Sequence, residues 1–148
     1  ARVSALFRDV SQVVAAEHTT LSAMLKETNT ATLSPKTRVA FHSPCSLQHG
    51  LKIRGSVETL LRDAGFELTA VPDGHLCCGS AGTYSLLQPE LSQQLLQNKV
   101  AALESGAPAI VATANIGCLA HIEGGLAASK GAPIRHWIEL LDERLAAS

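Results

Sequence analysis

From about residue 36 onward, short apolar runs alternate with longer segments whose hydrophobic residues repeat at helical spacing. Glycine or proline separates many of these segments, as is usual at the ends of strands and helices. The pattern predicts four strands, over residues 38–42, 66–71, 109–113 and 133–136. It also predicts helices over residues 51–64, 81–104 with a break at Pro89, and 115–128, and a last helix marked by Ile138, Leu141 and Leu145.

Strands that alternate with helices in this way are typical of right-handed crossovers onto a parallel sheet. We therefore predict an α/β fold, with a four-stranded parallel sheet and helices on both faces in a Rossmann-like three-layer arrangement. In such open sheets, ligands bind beyond the carboxyl ends of the strands. The loops that follow the strands are therefore where we look for chemistry.

The first 35 residues follow a different pattern. Hydrophobic residues recur there at spacings of three and four, which predicts one face of an amphipathic helix: Val3, Leu6, Phe7, Val10, Val13 and Val14. Residues 26–36 are polar and lack periodicity, as in a loop or linker. The predicted organisation is an N-terminal helix and linker over residues 1–35, followed by the main domain over residues 36–148.

Composition excludes several classes of protein. The 148 residues are 46% hydrophobic and 17% charged, which is typical of a folded domain and not of a disordered chain. A net charge of -1 disfavours binding to nucleic acid or to an anionic membrane. The chain shows neither a secretory leader nor an apolar run of about 20 residues. We expect a cytoplasmic protein, with at most peripheral association at the inner face of the membrane.

The four cysteines all follow predicted strands. Cys45 comes after the first strand, Cys77 and Cys78 after the second, and Cys118 after the third. A single cysteine is commonly a small buried hydrophobic residue, but four at one edge of a sheet favour a shared ligand. Disulfides are disfavoured, because they are typical of small secreted chains with meagre cores. The pattern indicates a metal or redox site.

Residues beside the cysteines extend this hypothesis. Gly79, Ser80 and Gly82 lie at the start of a predicted helix, so their backbone N–H groups would stabilise anionic sulfur or a bound cofactor. Cys118-x-x-His121 places two metal donors on one helical turn, which makes His121 a candidate ligand. The remaining histidines near strand ends are more commonly packing or hydrogen-bonding residues: His42, His49, His75 and His136. The chain contains no P-loop and no dinucleotide-binding glycine motif, which disfavours nucleotide cofactors.

Three segments carry a family resemblance: His42-Ser-Pro-Cys45, Cys77-Cys78-Gly79 and Cys118-x-x-His121. Their order and spacing resemble the cysteine-rich CCG domain of heterodisulfide reductase B subunits, lactate-utilisation proteins and glycolate oxidase iron-sulfur subunits. The sequence around each cysteine is most similar to that of the second CCG domain of the glycolate oxidase subunits. One departure is that His121 stands where the general motif ends in cysteine.

The resemblance implies an electron-transfer domain with an iron-sulfur cluster of the 4Fe-4S type. It implies five candidate ligands: Cys45, Cys77, Cys78, Cys118 and His121. It also implies a C-terminal part of a longer subunit, which relays electrons from flavin-containing subunits that oxidise glycolate to glyoxylate. FAD would be bound only by those partners, and the resemblance assigns no catalytic residue to this chain.

Two other functions are compatible with the same residues. Cysteine and histidine donors also bind tetrahedral zinc, so the domain could be a structural docking or assembly module without a redox role. A thiolate enzyme, with Cys45 as nucleophile and His49 or His42 as base, leaves the other cysteines unexplained. In either of the non-catalytic roles, we expect no oxidation of glycolate by this chain alone.

Overall fold

The computed structural model describes Val3, residues 6–27 and residues 36–146. Four strands form one parallel sheet in the order β2-β1-β3-β4: β1 Arg38–His42, β2 Glu67–Leu68, β3 Ile110–Thr113 and β4 Ile134–His136. The central pair is in register from Val39 opposite Ile110 to His42 opposite Thr113. The predicted α/β class and the parallel sheet are confirmed.

Seven α-helices lie in the described part of the chain: α1 Val10–Ala16, α2 His18–Glu27, α3 Ser56–Asp63, α4 Tyr84–Leu87, α5 Pro89–Glu104, α6 Ile116–Ser129 and α7 Trp137–Ala146. A short π-helical turn, Ser46–Gly50, follows β1. No helix in these described ranges combines the length and hydropathy that a bilayer crossing requires.

The two faces of the sheet have separate hydrophobic cores. Val39 and Phe41 of β1 point toward α3 and α7, where they pack with residues such as Leu60 and Trp137. Ala40 points to the opposite face, toward α5 and α6. Since side chains of a strand alternate between faces, His42 lies on the same face as Ala40. This layering confirms the predicted three-layer arrangement.

Predicted and observed boundaries differ around α3. The helix expected over residues 51–64 begins only at Ser56, because the backbone of Gly55 is left-handed, with φ of 76°. The strand expected from residue 66 begins at Glu67. Phe66 donates its N–H to the carbonyl of Leu61 and so closes the end of α3 instead of joining the sheet. The strand also ends at Leu68 and not at residue 71, so the loop toward Cys77 starts earlier than the pattern predicted.

The helix expected from residue 81 is also interrupted. Residues 79–83 are irregular, with positive φ at Gly79 and Gly82, and α4 spans only four residues before α5 begins at Pro89. A macrodipole is the sum of aligned peptide dipoles, so a helix this short provides little of one. The helix predicted over residues 81–104 is therefore not continuous, and the N–H groups at its expected start belong to an irregular loop.

Within residues 6–27, the chain forms the two helices α1 and α2, and residues 7–9 are not helical, so the predicted amphipathic helix is not continuous between Val3 and Val14. Asp9 caps the start of α1 through a capping box with Gln12, and the helix ends at Ala16. Among the predicted apolar positions, Val14 is partly buried, whereas Val3, Leu6, Phe7, Val10 and Val13 are exposed. Leu25 of α2 enters the core beside α7. Most of the predicted linker, residues 28–35, lies outside the described residues, and the domain boundary at residue 36 stays a prediction.

Candidate metal centre

The four cysteines come together beyond the carboxyl ends of β1 and β3. Cys45 begins the π-helical turn after β1, whereas Cys77 and Cys78 lie in the irregular loop between β2 and α4. Cys118 lies in the first turn of α6, where the side chain of Asn115 accepts hydrogen bonds from the N–H groups of Gly117 and Cys118. This cap fixes the start of the helix and thereby the position of Cys118.

The thiols form two neighbouring pairs. Cys45 interacts with Cys77, and Cys78 with Cys118, and the charges of the two pairs also influence each other. All four cysteines are free, and Cys78 is only 1% exposed. The structure thus brings together the four cysteines that the sequence placed at one edge.

Cys78 carries the negative charge of the group. Hydrogen bonding from the Cys118 thiol lowers the pKa of Cys78 to about 4, against the opposing effect of burial. His42 and the backbone N–H of Ser80 contribute further to this lowering. The pKa of Cys118 is raised, because its thiol is shared with Cys78 and because it is buried. At neutral pH, the metal-free site therefore holds one thiolate and an adjacent thiol.

The pKa of Cys45 is also raised, first by burial and then by the neighbouring Cys77. Thiolates, not thiols, bind metals, so metal binding at this site would release protons from these cysteines. The backbone of Gly79 donates a hydrogen bond to the Sγ of Cys77 at 3.3 Å. A backbone N–H thus lies against one sulfur of each pair, since the N–H of Ser80 hydrogen-bonds to Cys78.

A histidine that the sequence analysis set aside completes the tightest cluster. One ligand atom each from His42, Cys78 and Cys118 lie within 4.8 Å of one another. Within the ranges that the structure describes, this is the one group of three or more His, Cys, Asp or Glu residues with ligand atoms this close. The sequence signal for His42 was its place at the end of a buried strand, in phase with Ala40.

His121, the predicted fifth ligand, lies beside this cluster but is not part of it. Its Nε2 atom is 3.4 Å from the hydroxyl of Ser92, which in turn donates to the carbonyl of Gly79 at 2.9 Å. Gly79 has φ of 95°, and a Cβ atom there would lie 2.5 Å from the carbonyl oxygen of Ser92. The close approach of this loop to α5 therefore requires glycine.

The other predicted cofactor residues differ in what surrounds them. The backbone N–H of Ser80 donates a hydrogen bond to the sulfur of Cys78, which is the kind of contact that the sequence analysis expected. Gly82 has no atom within 4 Å of the position where a Cβ would stand, so no close approach to the protein requires glycine there, although its φ is 52°. The left-handed backbone at position 82, and not close packing around it, explains why the residue is glycine.

Lys99 of α5 is a charged group that the sequence analysis missed. It is only 2% exposed, and its Nζ donates to the carbonyls of Asp73 and Gly74 at 3.2 and 3.4 Å. Burial lowers its pKa, while the nearby cysteines, Cys78 first, act in the opposite direction. A signal was present, since Lys99 falls three residues after Leu96 and four before Leu103 on the buried side of the helix.

Comparison with known proteins agrees with this geometry. A family model described as a cysteine-rich domain, CCG, matches residues 39–123, more than half of the chain. The chain belongs to this CCG family. The match includes β1, the cysteines and His121, and it ends within α6.

Curated relatives of the chain include iron-sulfur and lactate-utilisation proteins. It is 54% identical over 108 residues to the glycolate oxidase iron-sulfur subunit of Escherichia coli K12, covering 73% of this chain and 26% of that subunit. It is 36% identical over 117 residues to lactate utilization protein A of Bacillus licheniformis, covering 77% of this chain and 48% of that protein. The chain thus spans about a quarter of the first relative and about half of the second.

Proposed function

We propose that this chain is an electron-transfer domain that holds an iron-sulfur cluster within a glycolate oxidase complex. The observation that supports this most is the convergence of four free cysteines from three separate segments at one edge of the sheet. The similarity to an iron-sulfur subunit supports the same class of function. The specific substrate, glycolate, follows from that relative alone.

The residues present fit a metal-sulfur group. Cys78 is a buried thiolate. The other three cysteines lie close enough for electrostatic interactions within the group: Cys45, Cys77 and Cys118. When bound, a cluster would accept and donate single electrons. The chain would supply the four cysteine ligands, the N–H donors of Gly79 and Ser80, and the positive charge of Lys99. A 4Fe-4S cluster is part of this proposal. His121 would contribute by holding the loop of Gly79 against α5 through Ser92.

Partners follow from the same proposal. The chain matches only about a quarter of the iron-sulfur subunit of E. coli, so the rest of such a subunit would be its nearest partner. Flavin-containing subunits would oxidise glycolate to glyoxylate and pass electrons to this domain, with FAD bound on their side. We propose a cytoplasmic location for this complex.

The compact cluster of His42, Cys78 and Cys118 favours a second candidate, a structural zinc module. Donors bound to one tetrahedral ion at about 2.0–2.3 Å lie roughly 3.5–3.8 Å apart. The 4.8 Å limit on the separation of these ligand atoms is compatible with that geometry after a small contraction. Zinc would then stabilise the loop between β2 and α4 without any redox role.

Anaerobic purification and reconstitution with ferrous iron and sulfide tests the proposal. We expect bound iron and sulfide, a broad visible absorption that bleaches on reduction, and an EPR signal in one redox state. The Cys78→Ser and Cys118→Ser variants should lose this signal, whereas Ser129→Ala, far from the cysteines on α6, should keep it. Zinc bound in place of iron, with no reducible chromophore, would contradict the redox function and favour the zinc module.

The chain alone, reconstituted with its cluster, should not oxidise glycolate with an artificial electron acceptor. Its residues provide electron-transfer ligands but no flavin site that the sequence reveals. Glycolate oxidation by the purified chain in the absence of a flavoprotein would overturn this part of the proposal.

A further inference from the structure

His42 is a buried polar side chain beside the sulfur of Cys78. It is 1% exposed, it helps to lower the pKa of Cys78, and neither ring nitrogen makes a hydrogen bond of regular geometry within the described residues. A neutral imidazole has one N–H donor and one lone-pair acceptor, and a lone pair left without a donor in a buried site costs free energy. An explanation is needed for why the end of β1 carries a histidine where an apolar residue would pack.

The sheet directs this side chain into the cysteine cluster. His42 is the last residue of β1 and pairs with Thr113 of β3, and it lies on the same face as Ala40. On that face, one of its nitrogens comes within 4.8 Å of the sulfur atoms of both Cys78 and Cys118. Because β1 and β3 are central strands, the position of the ring is fixed by the sheet and not by a loop.

The three residues together have the donor set of a metal site. Imidazole nitrogen and thiolate sulfur are the usual ligands of zinc and of iron in histidine-bearing clusters. Cys78 and Cys118 supply the two sulfur donors, and cysteines that bind a metal do so as thiolates, with release of their protons. A metal ion between the three would also pair the imidazole lone pair that the protein leaves free.

We infer that His42 is a direct ligand of the metal centre, together with Cys78 and Cys118. The assignment of His42 as a ligand depends on the proposed function in one respect, which is that the metal is iron. Cys45 and Cys77, which form the other thiol pair, would complete the centre. His121 then acts through Ser92 and Gly79, by holding the loop that carries Cys77 and Cys78 against α5.

Histidine-selective nitrogen labelling gives the decisive measurement. The full chain, labelled with 15N at histidine only, is reconstituted with ferrous iron and sulfide, reduced, and examined by pulsed EPR. We expect a strong nitrogen coupling that disappears in the His42→Cys variant while the cluster signal remains, because cysteine supplies a replacement donor. The His121→Ala variant should keep the coupling. A cluster without a directly bound nitrogen, or a coupling that survives in His42→Cys, would overturn the inference.

Cobalt(II) added to the metal-free chain separates this inference from the iron-sulfur proposal. We expect the His42→Ala variant to bind cobalt(II) at least about tenfold more weakly than the unaltered chain, whereas His49→Ala, an exposed histidine on the neighbouring turn, should bind it equally well. The His42→Cys variant should bind it with a stronger sulfur-to-cobalt absorption, since three thiolates replace two.

If the chain binds cobalt(II) through His42 but takes up no iron, the proposed function fails and the ligand assignment stands. Equal cobalt(II) affinity in the unaltered chain and in folded His42→Ala would overturn the assignment. Should His42→Ala fail to fold, the absorption of the His42→Cys complex decides, because an unchanged sulfur-to-cobalt band would show that position 42 does not reach the ion.

Discussion

The two faces of the sheet bury different kinds of residues. Against α3 and α7, the core is apolar and built around Trp137, with Phe41, Leu60 and Leu140 among its members. Against α5 and α6, the core consists of smaller side chains and reaches the cysteine cluster through Cys78. Buried polar residues gather on this second side: His42, Ser92, Lys99 and Thr113.

This difference teaches which part of the domain provides stability and which part carries the site. Burial of apolar area is the main stabilising contribution, and large side chains such as Trp137 supply most of it on the first face. Buried polar groups cost free energy unless they are paired. The second face accepts that cost at the place where the ligands converge, and the following changes test the contrast.

The largest loss of stability is expected on the apolar face. Trp137→Ala removes a side chain with no exposed surface and should lower the free energy of unfolding by about 3–5 kcal/mol. Urea denaturation of the metal-free protein measures it. Leu86→Ala, at a position 79% exposed, should change it by less than about 0.5 kcal/mol. A loss below about 1 kcal/mol for Trp137→Ala would contradict the role assigned to this face.

Close packing on the second face can be tested with two adjacent glycines of α6. A Cβ at Gly125 would meet Val100 at 2.9 Å and Leu96 at 3.1 Å, so Gly125→Ala should destabilise the fold by about 1–3 kcal/mol. Gly124 has open space around the same position, and Gly124→Ala should stabilise α6 by roughly 0.5–1 kcal/mol. Thermal melting of both variants measures the pair, and a shift of the same sign in each would show that α5 and α6 are not closely packed there.

The charge of Lys99 gives an electrostatic test of the difference between the two faces. Lys99→Met removes a buried positive charge beside the cysteines, and a reduced cluster carries more negative charge than an oxidised one. We therefore expect the reduction potential of the reconstituted centre to fall by roughly tens of millivolts, measured by EPR-monitored redox titration. Arg62→Met, which removes one positive charge from an exposed position on α3, is the control and should leave the potential unchanged. An equal shift in both variants would assign the effect to net charge alone.

The smallest effect is expected where the N-terminal helices meet the domain. His18 of α2 and Asp63 of α3 are 2.6 Å apart, but their side chains are 44% and 39% exposed. Exposed pairs of this kind contribute about 0–1 kcal/mol, so Asp63→Asn should cost no more than that. Urea denaturation at low and high salt measures it, with the difference from the unaltered chain shrinking as salt rises. A cost above about 2 kcal/mol would mean that the N-terminal helices depend on this contact.

Much of the fold could be predicted because periodicity reflects burial. The strand over residues 38–42 and the helix that follows Asn115 were located within a residue or two, since alternation and capping are local properties. The boundaries failed where a non-local or backbone effect intervened. An apolar residue such as Phe66 suits both a buried strand and the end of a helix. Its N–H donates to the carbonyl of Leu61 at the end of α3, and the pattern of side chains does not show which of the two forms.

For the candidate site, the sequence by itself determined that four cysteines lie at one edge of a parallel sheet, because strand order and connection hand leave little freedom there. It also supplied the family, through the spacing of those cysteines. Only the tertiary structure decided which side chains join them. His42 and Lys99 are adjacent to the cysteines only through the pairing of β1 with β3 and the packing of α5, whereas His121, closest to Cys118 in sequence, lies against Ser92. Distances between segments depend on how whole helices and strands pack, and the spacing of residues along the chain does not determine them.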